Sequence, residues 1–316
     1  MAPPDPGGAA ESTRPTPSSA PQKVFVGVYL NRVVNLDLKQ NTYWMDIYLW
    51  FRWKGDIDPT ETYEFMNTFE KWGETNISEK EEVSELANGW KYKEFHIETQ
   101  LHNPFHFGPY PLDKQTLRLK LEDKSHNSQI IQYVPDEANS RYNPNIFIPG
   151  WKADSYKLWT TNHTYPTNFG VVGQKTESYS QLNADLLISR HPQHLHLFKL
   201  FLPVSIILVM VFVVFFIPIS FFESRVEIAI TGLLSLIALQ MVLNETLPPV
   251  GYLTLTDKIY NFSYFMVMCS LIETVTIYFY FKRNEQLSRQ MDRLAALAML
   301  IITPVAFLLF FTVFQG

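Results

Sequence analysis

Four apolar stretches crowd the C-terminal part of this chain, and they constrain its fold more than anything before them. Leu200–Phe222 and Leu294–Phe314 carry no charged side chain, and Ile259–Phe281 carries only Glu273. Between the first and third lies Glu223–Pro248, apolar in its middle and acidic at its ends. A helix rising about 1.5 Å per residue needs about 20 residues to cross the hydrocarbon core, and each stretch is long enough. Backbone polar groups in lipid must be satisfied within the segment, so each stretch is expected to be helical. The predicted spans are residues 196–221, 224–246, 257–282 and 291–314, which makes residues 195–316 a four-helix transmembrane domain.

The second span is unlike the others. Read at alternating steps of four and three, one face carries Glu227, Thr231, Leu234, Ala238, Met241 and Glu245, with Glu223 one turn before it. Acid gives way to hydroxyl, then to an apolar middle, then to acid again. A carboxylate such as Glu227 facing lipid is costly, so this face is expected to look onto water or protein. Charged mouths around an apolar waist are what an ion pathway with a dewetting gate requires. The competing reading is a bundle helix whose acid only complements its own N-terminal dipole.

Orientation follows from the loops. The third-to-fourth connection holds Lys282, Arg283, Arg289 and Arg293 against Glu285 and Asp292, whereas Asn244–Lys258 holds one Lys, one Glu and one Asp. Positive loops stay cytoplasmic, which places both termini and the polar N-terminal domain outside. Export needs a signal peptide, and Met1–Pro6 has no apolar core, so the chain reads as a mature protein with an added Met. The single Cys269 lies in the third span and closes no intrachain disulfide. Net charge is −5 with basic residues scattered, which argues against nucleic acid.

Residues 1–22 are Pro, Ala, Ser, Gly and Thr with few large apolar side chains, a composition expected to be disordered. From Lys23 the pattern alternates. Strands are predicted at Val24–Leu30, Thr42–Trp53, Trp90–Leu101, Thr116–Leu121, Gln129–Val134, Ser155–Thr161 and Gln181–Ser189. Turn signals at Asn88-Gly89, Pro109-Tyr110-Pro111 and Pro149-Gly150 separate them, and Glu79–Glu82 reads as a solvated turn. Many short strands at this spacing predict an all-β sandwich, immunoglobulin-like with about ten strands, over residues 23–194.

At this point motifs accumulate in a recognisable order. Tyr110-Pro111-Leu112-Asp113-Lys114-Gln115 is similar to an aromatic-Pro-Phe-Asp-x-Gln loop, and Trp53, Gly150-Trp151, Arg190, Pro203, Thr231–Leu236 and Leu247-Pro248 stand in the matching order around it. From Lys23 onward the chain resembles a prokaryotic pentameric ligand-gated ion channel of the Cys-loop receptor superfamily. The two cysteines of the eukaryotic signature loop would fall at Asn103 and Leu117, so that loop is unbridged here.

The resemblance implies a homopentamer whose second spans surround one axis, so each stripe residue becomes a ring. Glu223 and Glu227 would then line the cytoplasmic mouth and Glu245 the outer one, and carboxylate rings favour cations. Anion-selective relatives carry Pro-Ala-Arg where this chain has Glu223-Ser224-Arg225, and Arg225 is expected either at lipid headgroups or paired with Glu223 or Glu227. The resemblance also implies a gating interface of Asp37, Asp113 and Arg190 with Pro248, Pro249 and Tyr252. Aromatic candidates for an agonist cage are Tyr48, Trp50, Tyr165, Phe169 and Tyr179, which would suit a cationic amine. Expected partners are membrane lipids, permeating monovalent cations, and a small-molecule agonist or protons. The Glu227 ring is a candidate oxygen site at which divalent cations block. Crowded carboxylates there cannot all ionise independently, so acid is expected to reduce the current. No cofactor is expected. No Gly-x-Ser-x-Gly, P-loop, zinc-protease or Rossmann pattern occurs, which argues against an enzyme. The implied function is a ligand-gated, cation-selective channel of the cell (inner) membrane. The alternative is a membrane-tethered β-sandwich sensor that does not conduct.

Overall fold

A computed structural model describes residues 20–69, 76–79, 82–170 and 176–313, with backbone alone for 76–79, 299–300 and 302–313. Residues 1–19 of the expected tail lie outside the described residues, and Gln22 already belongs to the first strand.

Among the described residues eleven strands precede the helices: β1 (Gln22–Asp37), β2 (Thr42–Trp53), β3 (Tyr63–Phe65), β4 (Asn76–Glu79), β5 (Ser84–Leu86), β6 (Trp90–His102), β7 (Lys114–Asp123), β8 (Ile131–Pro135), β9 (Arg141–Tyr142), β10 (Trp151–Thr164) and β11 (Ser178–Arg190). They form two sheets. One runs β4-β6-β2-β1-β8, with β5 on β6 and β9 on β1; the other runs β10-β11-β7-β3. Period-two burial builds the core between them. Val24, Val26, Val28 and Leu30 meet Ile47, Leu49, Phe51 and Trp53 from the first sheet, and Leu117, Leu119, Leu121, Leu182, Leu186 and Ile188 face them from the second. Gly27 is needed where Trp50 crosses its strand, because a Cβ there would lie 2.1 Å from the indole ring. Each strand read from alternation lies within one of these, except that the predicted Gln129–Val134 starts two residues before β8. Glu79 ends a strand rather than opening a helix, and residues 80–81 of the expected turn lie outside the described residues.

Four α-helices follow among the described residues: α1 (Gln193–Val213), α2 (Phe222–Asn244), α3 (Leu255–Phe281) and α4 (Glu285–Val313). Three segments, Gln193–Phe216, Ile219–Asn244 and Leu255–Phe281, are long and apolar enough to cross a membrane among the described residues. The first span ends earlier than the predicted 221. Pro218 lacks an N–H and pushes Ile217 out of the helical region, to φ −83° and ψ 130°. α3 starts on a capping box in which the Thr254 hydroxyl accepts from the Asp257 N–H and the Asp257 carboxylate accepts from the Thr254 N–H. The fourth predicted span falls in α4, which starts six residues before 291. Its side chains beyond Ile301 lie outside the described residues.

Candidate functional site

α2 is one-sided. Its buried residues are Arg225, Ala229, Gly232 and Leu236, spaced four, three and four on one face, and Leu236 packs with residues of α1 and α3. Gly232 permits the close approach, since a Cβ there would meet Val211 Cγ2 at 2.6 Å. The opposite side holds every stripe residue: Glu223, Glu227, Thr231, Leu234, Ala238, Met241 and Glu245 are all exposed in the isolated chain. Leu234 and Met241, large apolar side chains, are 60% and 64% exposed, an arrangement that a monomer in water would not favour. Ile230, Ile237 and Val242 flank the stripe and are exposed as well.

Arg225 lies neither at lipid headgroups nor beside Glu223 or Glu227. It is fully buried behind α2, with its Nε donating to the Ile217 carbonyl at 2.8 Å. Its NH1 and NH2 hold the two oxygens of Asp292 on α4 at 2.8 and 2.7 Å. The carbonyl of Ile217 is available because Pro218 breaks the helical ladder there. No local pattern singles out Asp292, because 67 positions separate it from its partner.

The junction between sandwich and helices is built from the motif loop. Asp113, completely buried, accepts from Arg190 Nε at 2.5 Å and from Gln115 Nε2 at 2.7 Å. The Arg190 guanidinium sits 4.6 Å from the ring centres of both Tyr110 and Trp151. Asp37, expected as a third member, has no bond to Arg190 among the described residues. Its carboxylate instead accepts from the Lys39 and Gln40 N–H groups at 2.8 and 3.0 Å, closing its own turn. That turn lies against the end of α2, sharing a hollow with Thr246. The segment between α2 and α3 docks beneath the motif loop. Leu247 and Val250 pack on the sandwich core, the Phe107 N–H donates to the Tyr252 hydroxyl at 2.8 Å, and the Leu255 N–H donates to the Gly108 carbonyl at 2.8 Å. His106 stacks on Tyr252 at 5.1 Å. Pro248 is half-buried and Pro249 exposed in the same segment.

The five aromatic candidates divide into two groups. Tyr165 brings together Phe169 at 5.4 Å and Tyr179 at 5.7 Å around the β10–β11 hairpin, with His163 at 4.4 Å. Beneath them lies Glu122, nearly fully buried, which accepts from Tyr165 at 3.1 Å and from Gln181 at 2.5 Å, and bonds His163 at 2.7 Å. Glu122 carries no signal in the sequence, because an acid at a strand end reads as solvated. Burial, with the nearby Glu122 charge, pushes the Tyr165 phenol well above its ordinary value. Tyr48 and Trp50 belong to the other sheet. Tyr48 stacks on His96 at 4.4 Å, Trp50 donates to Asp136 at 3.1 Å, and both line a separate hollow of about 420 Å³ with Tyr29, Arg52, Tyr92 and Glu94. One chain therefore does not join the two groups. Among the described residues no three His, Cys, Asp or Glu side chains cluster as metal ligands within one chain.

No family model matches the chain. It is 26% identical to the proton-gated ion channel of Gloeobacter violaceus over 94% of its own length and 84% of that protein. It is also 30% identical, over 149 residues, to the beta subunit of a glutamate-gated chloride channel of Haemonchus contortus, a match spanning 47% of this chain and 33% of that subunit. A two-sheet sandwich, apolar helices and a motif loop docked on the second-to-third helix connection accompany an alignment along nearly the whole chain. Along nearly its whole length the chain is thus similar to a pentameric ligand-gated ion channel of the Cys-loop receptor superfamily, a family of channels and not of enzymes.

Proposed function

We propose that five copies of this chain form a cation-selective, ligand-gated pore lined by the stripe on α2. The observation that carries the reading is the separation of charges around that helix. The carboxylates of Glu223 and Glu227 and the apolar Leu234, Ala238 and Met241 lie on the free side, while the one cation of the segment, Arg225, is turned away and neutralised by Asp292. A mouth ringed by carboxylates without a facing cation concentrates cations. The Haemonchus relative is a chloride channel by name, so the sign of selectivity rests on these residues and not on kinship.

In this reading the sandwich and residues 1–194 lie outside the cell (inner) membrane, both termini with them, and the basic loop before α4 lies in the cytoplasm. Asp113, Arg190, Pro248, Pro249 and Tyr252 carry motion from sandwich to pore, with Asp37 delivering its turn to Thr246. The ring of Glu227 holds divalent cations and is blocked by them. The agonist site is the hairpin cluster of Tyr165, Phe169 and Tyr179 over Glu122, which favours a small cationic ligand through ring faces and a buried carboxylate. Tyr48 and Trp50 contribute only from a neighbouring copy.

Reconstitution of the full chain in planar bilayers tests the reading. Unitary currents that reverse near the sodium potential in a NaCl gradient are expected. A chain that assembles and binds ligand but gives no unitary current is a tethered sensor instead.

A further inference from the structure

The first turns of α2 carry three charges, Glu223, Arg225 and Glu227, two of one sign and one of the other. At about 100° per residue, Arg225 is turned roughly 200° from each glutamate. Its guanidinium is wholly buried and saturated by two acceptors from outside the helix, the Ile217 carbonyl and the bidentate carboxylate of Asp292. Asp292 is itself fixed in place. One turn earlier on α4, the fully buried Ser288 donates through its hydroxyl to the Ile277 carbonyl at 3.4 Å, tying this part of α4 to α3. Glu273 of α3 is the other acid within electrostatic reach of the pair. It has no hydrogen bond to the guanidinium among the described residues, and its Oε1 is buried without a partner.

We infer that Asp292, although it lies on the outer helix and off the pore, determines the charge selectivity of the inner mouth by cancelling Arg225 behind α2. This rests on the cation-selective reading above. With Asp292 in place, each copy presents two carboxylates to the mouth and no uncompensated cation. Without it, the guanidinium keeps a single hydrogen-bond acceptor, the Ile217 carbonyl, and only the more distant Glu273, which makes no hydrogen bond to it, opposes its charge, so the buried cation is costly and poorly screened. It then acts on ions in the mouth in two ways. Its field crosses the helix, about 10–12 Å wide, through low-dielectric walls, and the long side chain is free to leave its pocket for the carboxylates on the other side. Either route subtracts one charge from the two that each copy contributes. The residue is a positioning residue, because it acts through Arg225 and touches no permeating ion.

The test is the reversal potential of the reconstituted full chain in a NaCl gradient, for wild type, Asp292→Asn, Asp292→Glu and the double variant Arg225→Gln/Asp292→Asn. Asp292→Asn is expected to move the reversal potential toward the chloride value. Asp292→Glu, which keeps the charge, and the double variant, which removes the freed cation, are expected to stay at wild type. A merely structural role would alter expression or open probability in the single and double variants alike and leave the reversal potential unmoved. If Asp292→Asn is silent, current with wild-type selectivity in the double variant still supports the inference, and silence in both overturns it. A cation-selective wild type with an unmoved Asp292→Asn overturns this inference alone. A wild type that is not cation-selective overturns the reading of the mouth and this inference together.

Discussion

Asp113 and Arg190 show what a single pair of residues does in this chain. Their pairing distance of 2.5 Å, near-complete burial and the two rings flanking the guanidinium leave neither charge an alternative partner in water. Breaking such a pair from one side leaves the other charge uncompensated, at a cost of about 3–5 kcal/mol. Asp113→Asn, which keeps the shape, is therefore expected to lower the thermal unfolding midpoint of the purified protein markedly. A variant that melts with wild type would mean the pair is solvated. Both residues are legible in the sequence because they sit at fixed places in motifs, one inside the aromatic-Pro loop and one at the last strand's end. The same motif logic groups Asp37 with them, yet its carboxylate closes a turn whose local N–H groups are nearer than any distant arginine. Asp292 and Glu122 are invisible in the sequence for the opposite reason: their meaning lies in partners 67 and 41–59 residues away, and no local pattern announces such a contact.

At the scale of elements, periodicity is the physics that makes the chain readable. The strands alternate because one face of each sheet meets the other sheet, so the spacing of Val24, Val26 and Val28 is enough to announce β1. Helix ends are less legible, since Pro218 stops α1 short of the apolar run that contains it. The short strands β3, β4 and β5 carry too few residues to display a period. α2 is where element and function meet. Its apolar side chains project on two opposite faces, one packed on α1 and α3 and one exposed, and only the second is spare for a pore. Leu234 at mid-height is the expected constriction, and a hydroxyl there favours wetting. Leu234→Ser should leave channels partly open without agonist, seen as a raised resting current and greater agonist sensitivity in whole-cell recordings. Unchanged resting current and sensitivity would move the gate to Met241 or to the level of Glu227.

For the whole molecule, the proposed pentamer makes charge arranged about an axis the expected control on its behaviour. Acid should reduce the current, and neutral or alkaline solution should increase it. The Gloeobacter relative is proton-gated by name, so the expected sign is opposite. The phenols offer no rival explanation on the alkaline side, because burial raises Tyr43, Tyr92, Tyr133, Tyr156 and Tyr165 above the ordinary tyrosine value. None of them ionises between about pH 5 and 9, since even an unperturbed phenol titrates near 10. Whole-cell currents across that range should fall in acid for wild type and flatten in Glu227→Gln. Activation by acid in wild type would contradict the prediction, and acid inhibition that survives in Glu227→Gln would move the sensor to the junction histidines His191, His194 and His196 or to the sandwich.

The central claim is that the carboxylates on the free side of α2 make the pore choose cations. It is tested most directly by the reversal potential of Glu223→Gln/Glu227→Gln against wild type in the same NaCl gradient. Both residues are exposed in the isolated chain, so their replacement disturbs no packing within one copy. A wild type reversing near the sodium potential and a double variant displaced toward the chloride potential are expected. A double variant that keeps the wild-type value would show that the rings are not the filter.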